Sequence, residues 1–173
     1  SRSDLSGSGS TDTGSTKYTE YSQTLHNASA NADWCAYFVS WCARQAGIPT
    51  SIIPKTGGCG TMRNNAGTYY DVTSGYTPET GDLFLLEPVK NGKHYVAERD
   101  SAGIPNLSSH IGIVTKVSGG RMYFIEGNSN QMVRTSSIPL QKVRGNQYWI
   151  QGYMHPDYDY DEVATITLSN NGA

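Results

Sequence analysis

Three cysteines and four histidines are the side chains of this sequence best suited to nucleophilic or proton-transfer chemistry. Cys35 stands out. It opens the run CAYFVSWCARQAGIP and falls in the first turn of a predicted helix. Unpaired N–H groups and the helix dipole favour an anion there, which lowers a thiol pKa and yields the reactive thiolate. The plainer alternative is a buried structural cysteine, because a free thiol packs well as a small hydrophobe. Cys42, on the same apolar stripe in mid-helix, reads as structural. Among the histidines, His110 opens the apolar strand HIGIV directly after a loop. A strand mouth is where a rigid scaffold presents a side chain to a cleft. His26 and His155 lie in polar or turn surroundings and His94 in a charged stretch. In YFIEGNSN, strand alternation puts Phe124, Glu126 and Asn128 on one face. A thiol hydrolase needs a third group to orient the imidazole and stabilise its charged form. Glu126 or Asn128 would serve, and a solvated polar turn is the alternative for Gly-Asn-Ser-Asn.

The elements that must position these residues follow from periodicity. Cys35, Phe38, Val39, Cys42 and Ala46 repeat at helical spacing, with Asp33 as the expected cap, Gly47 as the end and Pro49 as the stop. Tyr18, Tyr21 and Leu25 predict a short amphipathic helix over 17–27. Residues 50–80 are rich in Gly, Thr, Asn and Tyr and read as loop, with a helical turn near 62–66. From Gly81 onward the pattern is that of strands, at 81–86, 110–117, 121–127, 131–138 and 147–154, several of them separated by turn signals. Helices first and antiparallel strands after them predict an α+β fold.

Composition limits the alternatives. Twelve of the first sixteen residues are Ser, Gly or Thr, so 1–16 is expected to be a flexible linker, with something further upstream in the natural protein. The catalytic unit is expected over 17–156, and 157–173 as a tail, either an edge strand or a linker. The formal net charge is -2, with no Lys/Arg cluster, which argues against nucleic acid as a main partner. There is no apolar run of about 18 residues to span a membrane. Cys35 and Cys42 lie roughly 10 Å apart along one helix, too far to bridge, while a Cys42–Cys59 bond stays open. No CxxC or HxxxH pair is present, so neither a zinc site nor another cofactor is expected.

A cysteine at a helix start, then a histidine at a strand start, then a polar residue on the next strand is the chain order of papain-type enzymes. Four segments go further. WCAYFVSWCARQAGIP (34–49), PETGDLFLL (78–86), SSHIGIV (108–114) and IEGNSN (125–130) resemble, in order, the nucleophile helix, the strand entry, the histidine strand and the acid strand of the CHAP domain. That family comprises cysteine- and histidine-dependent amidohydrolases/peptidases, relatives of the NlpC-like cell-wall peptidases. The resemblance covers about residues 18–155 and implies a papain-like α+β fold, with N-terminal helices, including the nucleophile helix, packed on an antiparallel sheet. It implies Cys35 as nucleophile, His110 as general base, Glu126 as orienting acid and Asn128 as the accompanying amide. The implied substrate is peptidoglycan or a muropeptide, cut either at the N-acetylmuramoyl–L-alanine amide or within the stem or cross-bridge. The implied setting is bacterial, extracellular or wall-associated, and the chain is expected to be a monomer. Some members bind calcium through carboxylates near the nucleophile. Here only Asp33 is nearby, so no metal is expected. Other readings are an amidase acting on a non-wall substrate and a silent wall-binding module, for which an intact Cys–His–Glu set would have no use.

Two finer expectations follow. Glu126 rather than Asn128 should meet the far nitrogen of His110, because a carboxylate stabilises an imidazolium better than an amide does. Residues 87–107 resemble an insertion, with a hairpin turn at Asn91-Gly92. Two readings stand for it: a hairpin over the cleft that offers Lys90, Lys93 and Arg99 to substrate carboxylates, or a solvated surface hairpin whose charges bind nothing specific. Its replacement by a short link is expected to leave stability near wild type.

Overall fold

The computed structural model describes residues 21–22, 33–130, 132–140 and 150–159. The expected linker 1–16, most of the helix expected over 17–27, His26 and most of the tail 157–173 lie outside the described residues. Tyr21 and Ser22 are helical and fully buried.

Helix α1 spans Cys35–Gln45 and buries a wider arc than a simple i, i+3, i+4 stripe predicts: Cys35, Ala36, Phe38, Val39, Ser40 and Ala43. It is wedged between two apolar groups. Cys35, Ala36, Val39 and Ala43 pack on Leu83, Leu85, Ile111 and Met154 of the sheet. Trp34 and Phe38 pack with Tyr21 and Val133, and Tyr21 stacks on Trp34 with ring centroids 5.4 Å apart. Cys42 is half-buried and Ala46 exposed, so neither belongs to the deep face expected of them. Trp34, not Asp33, holds the N-cap position, and no side chain caps the helix. The end is as expected: Gly47 adopts φ 75° and its N–H donates to the Arg44 carbonyl at 3.1 Å. A second helix, α2 (Cys59–Asn65), starts three residues before the predicted turn and buries Met62 and Arg63.

The strands are β1 (Thr68–Asp71), β2 (Leu83–Leu86), β3 (Val89–Lys90), β4 (Lys93–His94), β5 (His110–Ser118), β6 (Arg121–Ser129), β7 (Met132–Pro139) and β8 (Ile150–His155). Six of them form one antiparallel sheet in the order β1-β8-β2-β5-β6-β7, and β3 and β4 form a separate hairpin. This is the α+β layout expected, with α1 on an antiparallel sheet. β2 reads as an unbroken apolar run because the sheet buries both its faces. Leu83 and Leu85 face the helices, while Phe84 joins Val114, Phe124, Ile138 and Tyr153 in a second core on the other side. Each such side chain contributes about 1.5–3 kcal/mol of burial.

Edge strand β1 was not anticipated. Its four residues, Thr-Tyr-Tyr-Asp, are too few for periodicity to show within a polar stretch, although Tyr and Thr favour strands. The 87–107 segment departs further from expectation. Its hairpin turns at Asn91-Gly92, with φ of 51° and 71°. Behind the turn, however, the segment is pinned by a buried polar network. Glu87 is fully buried and accepts from the Arg99 guanidinium at 2.8 Å, the Ala97 N–H at 3.0 Å and the Gln151 amide at 2.8 Å. Arg99 also holds Asp71 of β1 at 2.7 Å. Arg99 is therefore committed to contacts within the fold rather than offered to substrate, and the insertion is anchored to the body of the domain.

Candidate active site

The network just described also supports the mouth of β5. Ser109 Oγ donates to the Glu87 carbonyl at 2.6 Å. Ser108 Oγ donates to Gln151 Oε1 at 2.5 Å and accepts from the buried Arg63 at 3.2 Å. These contacts fix both residues that precede His110. The imidazole packs beside the Phe84 ring, with centroids 6.5 Å apart. Its Nε2 meets Glu126 Oε2 at 2.9 Å across the β5–β6 pairing.

Cys35 is the first residue of α1, only 5% exposed, and the Ala36 N–H is directed at its sulfur. Its thiol lies well below the ordinary value. The largest cause is a hydrogen bond from Cys59, opposed by burial and reinforced by the hydrogen bond and charge of His110 and by the Ala36 N–H. The two sulfurs are 3.8 Å apart. Cys59 moves the opposite way, pushed up by the same hydrogen bond and by burial. The contact thus favours the anion at Cys35 and the protonated thiol at Cys59. Burial works against a charged His110, yet the hydrogen bonds to Cys35 and Glu126 and their charges raise it to about 9. For Glu126, burial is outweighed by the hydrogen bond and charge of His110, which hold its carboxyl below the usual range. The arrangement sets a thiol shifted down beside an imidazole shifted up and backed by a carboxylate, a set with the groups to attack an acyl carbon and protonate a leaving amine.

The structure brings Cys35, His110 and Glu126 together. Asn128 is placed differently. A bulge interrupts the pairing between Glu126 and Ser129, and Asn128 takes φ 59°. Its amide donates to Asp33 Oδ1 at 3.2 Å, not to His110. Strand alternation fails at this point, so Asn128 ties the acid strand to the residues preceding α1 and does not touch the imidazole. A cavity of about 250 Å³ lies on the Glu126 side of His110, floored by Phe84, Phe124 and Ile138 and rimmed by Asn128 and Ser129.

Sequence reasoning left Cys59 unassigned except as a possible partner of Cys42. In the structure none of the three cysteines is joined in a disulfide. Cys59 reaches the site through a long loop, and its only local signal is the Gly-Gly-Cys-Gly run that lets the backbone turn there. His155 and His94 are engaged elsewhere, His155 with Asp82 at 2.8 Å and His94 with the Glu87 carbonyl at 2.7 Å. Among the described residues no three His, Cys, Asp or Glu side chains are grouped so as to hold a metal ion. No helix among them is long and apolar enough to cross a membrane.

The profile of the CHAP domain matches residues 27–128. No curated protein matches the sequence significantly. Two solved structures are similar. "The crystal structure of Ly7917" has a TM-score of 0.44 and 18% identity, covering 70% of this chain and 52% of that one. "The crystal structure of Ly7917 with the hydrolyzing product of MDP" has a TM-score of 0.42 and 18% identity, covering 70% and 53%. The chain therefore spans about half the length of the chains it is similar to.

Proposed function

The chain belongs to the CHAP domain family, and from that premise we propose that it is a cysteine hydrolase of peptidoglycan amide bonds. The observation that carries this reading is the Cys35–His110–Glu126 line, with Glu126 at 2.9 Å from His110 Nε2 and the Cys35 sulfur at the start of α1. The Cys35 thiolate attacks the substrate carbonyl carbon. The N–H groups of the first turn of α1 hold the developing oxyanion, as helix N-termini do for anions. The proton that leaves with the amine comes from His110, which already carries it at neutral pH because its pKa is raised to about 9. Water, deprotonated by the then neutral imidazole, releases the acyl group. Glu126 holds the ring with its other nitrogen toward the sulfur and offsets its charge. Asn128 acts on the position of the acid strand and not on the imidazole.

The family's substrate is peptidoglycan, and the cleaved bond is either the N-acetylmuramoyl–L-alanine amide or a peptide bond of the stem or cross-bridge. The setting proposed is the bacterial wall or the medium outside it, where that polymer lies. A muropeptide digest read by mass spectrometry tests the reading. Free lactyl-terminated glycan with intact stems identifies an amidase, and new stem fragments identify an endopeptidase. Products that persist unchanged with Cys35→Ala would overturn the assignment of the nucleophile. A wild-type protein that leaves purified walls and muropeptides intact would overturn the substrate.

A further inference from the structure

We propose that Cys59 is a resolving thiol, which closes a reversible disulfide with Cys35 when the nucleophile is oxidised. The inference rests on the reading of Cys35 as nucleophile and adds to it a redox lock on the same site. Three observations carry it. The sulfurs of Cys35 and Cys59 stand 3.8 Å apart, although 24 residues separate them. Each is the first residue of its helix, so each sits where the chain enters an element rather than in its rigid middle. Cys59 also has Gly58 before it and Gly60 after it, and a Cβ built at either glycine meets nothing closer than 3.5 Å. Glycines on both sides give the α2 entry backbone freedom to close the roughly 1.8 Å between the 3.8 Å contact and an S–S bond of about 2.05 Å. Cys42 lies seven residues farther along α1, half-buried.

The chemistry balances with a hydroperoxide as oxidant. The Cys35 thiolate attacks the distal peroxide oxygen. An S–O bond forms, the O–O bond breaks, and the departing oxygen takes a proton as water or an alcohol. The resulting sulfenic acid has two fates. Further peroxide carries it to sulfinic acid, which thiols do not reverse. Alternatively, the Cys59 sulfur attacks the Cys35 sulfur, expels the oxygen as water and gives up its own proton to it. The second path consumes one hydroperoxide, oxidises two thiols to one disulfide and protects the nucleophile from overoxidation. An external dithiol reverses it by exchange. Cys59 lies beside the nucleophile, so the same contact that favours the thiolate selects the partner for its repair.

The test uses the full chain, reduced and then exposed to a molar excess of hydrogen peroxide, since a sulfinic acid consumes two peroxides per thiol. Non-reducing peptide mapping should show a Cys35–Cys59 linked peptide, with two hydrogens lost from the intact mass. Hydrolysis of muropeptides should be lost and should return with dithiothreitol. Cys59→Ser should convert loss under the same treatment into loss that dithiothreitol does not recover, with Cys35 found as sulfinic acid. Each variant is compared with its own untreated activity. Cys42→Ser should keep the link and the recovery. A map showing Cys35 sulfinic acid beside a free Cys59 in the wild type, or a link through Cys42, overturns the proposal. The map decides even if Cys59→Ser fails to fold. It is independent of turnover, so a chain that forms the link but cuts no muropeptide fails the functional reading and not the disulfide.

Discussion

Two identical thiols face each other beside His110, yet their surroundings shift them in opposite directions, Cys35 toward the anion and Cys59 away from it. The Cys35 sulfur receives the Cys59 S–H, the Ala36 N–H and the charge of His110, whereas a charge on Cys59 would face the Cys35 thiolate at 3.8 Å. Cys35→Ala should abolish hydrolysis while costing about 1 kcal/mol of stability, since it removes only a sulfur from the edge of the core; turnover and thermal melts check both halves. Glu126→Gln should lower turnover on the order of 100-fold. It should also move the alkaline limb of the rate profile to lower pH. The sign follows from its role: the carboxylate helps raise His110 to about 9, so its loss lets the imidazole surrender its proton earlier. An alkaline limb that stayed in place would mean that Glu126 does not act through the imidazole. Cys35 and His110 were readable from the sequence because each opens a regular element, and Glu126 because strand alternation holds along β6 up to it. Asn128 was misplaced because alternation was extended across a bulge that only the paired strand defines. Cys59 was out of reach, because nothing local encodes a contact formed across a loop.

At the level of elements, α1 and β6 meet at Gly127. A Cβ there would stand 2.5 Å from Phe38 Cβ and 2.9 Å from Trp34 Cζ3. Gly127→Ala should therefore force α1 away from the acid strand, costing about 1–3 kcal/mol and lowering turnover as well, since Glu126 is the preceding residue. A melt equal to wild type would show that the helix has slack. The Glu87–Arg99 pair belongs to the same scale. Arg99→Ala leaves a fully buried carboxylate without its cation, which should cost about 3–5 kcal/mol. Denaturant titration measures it, and a loss below about 1 kcal/mol would argue that the Ala97 and Gln151 contacts suffice. The hairpin turn was legible from Asn91-Gly92, whereas Arg99 read as a substrate ligand. Sequence marks a charge but not whether its partner, 12 residues away, is buried.

For the molecule as a whole, the thiolate–imidazolium pair makes an unusual statement about stability and pH. Taken alone, His110 at about 9 against an unfolded value of ~6.5 contributes stability fully present below ~6.5 and lost as pH rises to 9. Cys35, lowered in the fold from an unfolded ~8.5, contributes stability present above ~8.5 and lost as pH falls. Between those values both folded and unfolded chains hold one proton on the pair, on the imidazole in one and the thiol in the other. The two trends cancel. Melting temperature should be nearly flat from about pH 7 to 8 as far as this pair is concerned. In Cys35→Ala the hydrogen bond and charge that do most to hold a proton on His110 are gone, so the imidazole should titrate below about 9, as an NMR pH titration would show. An imidazole that still titrates at about 9 in the variant would argue against a preformed ion pair.

The anchoring of the insertion also defines where the protein tolerates an attachment. Between Glu87 and Arg99 the chain leaves the body of the domain, and Val89, Lys90, Asn91, Gly92 and Lys93 are all exposed at the tip. Gly92 has nothing within 4 Å of an added Cβ. A peptide tag spliced between Asn91 and Gly92 should therefore leave the melting temperature and the Glu87–Arg99 pair unchanged, as exposed loop tips allow. Because the same segment continues into Ser108 and Ser109 at the base of the histidine strand, such a graft would ride on a stem braced against the catalytic face. The hairpin is a natural handle for tethering a reporter or a targeting peptide.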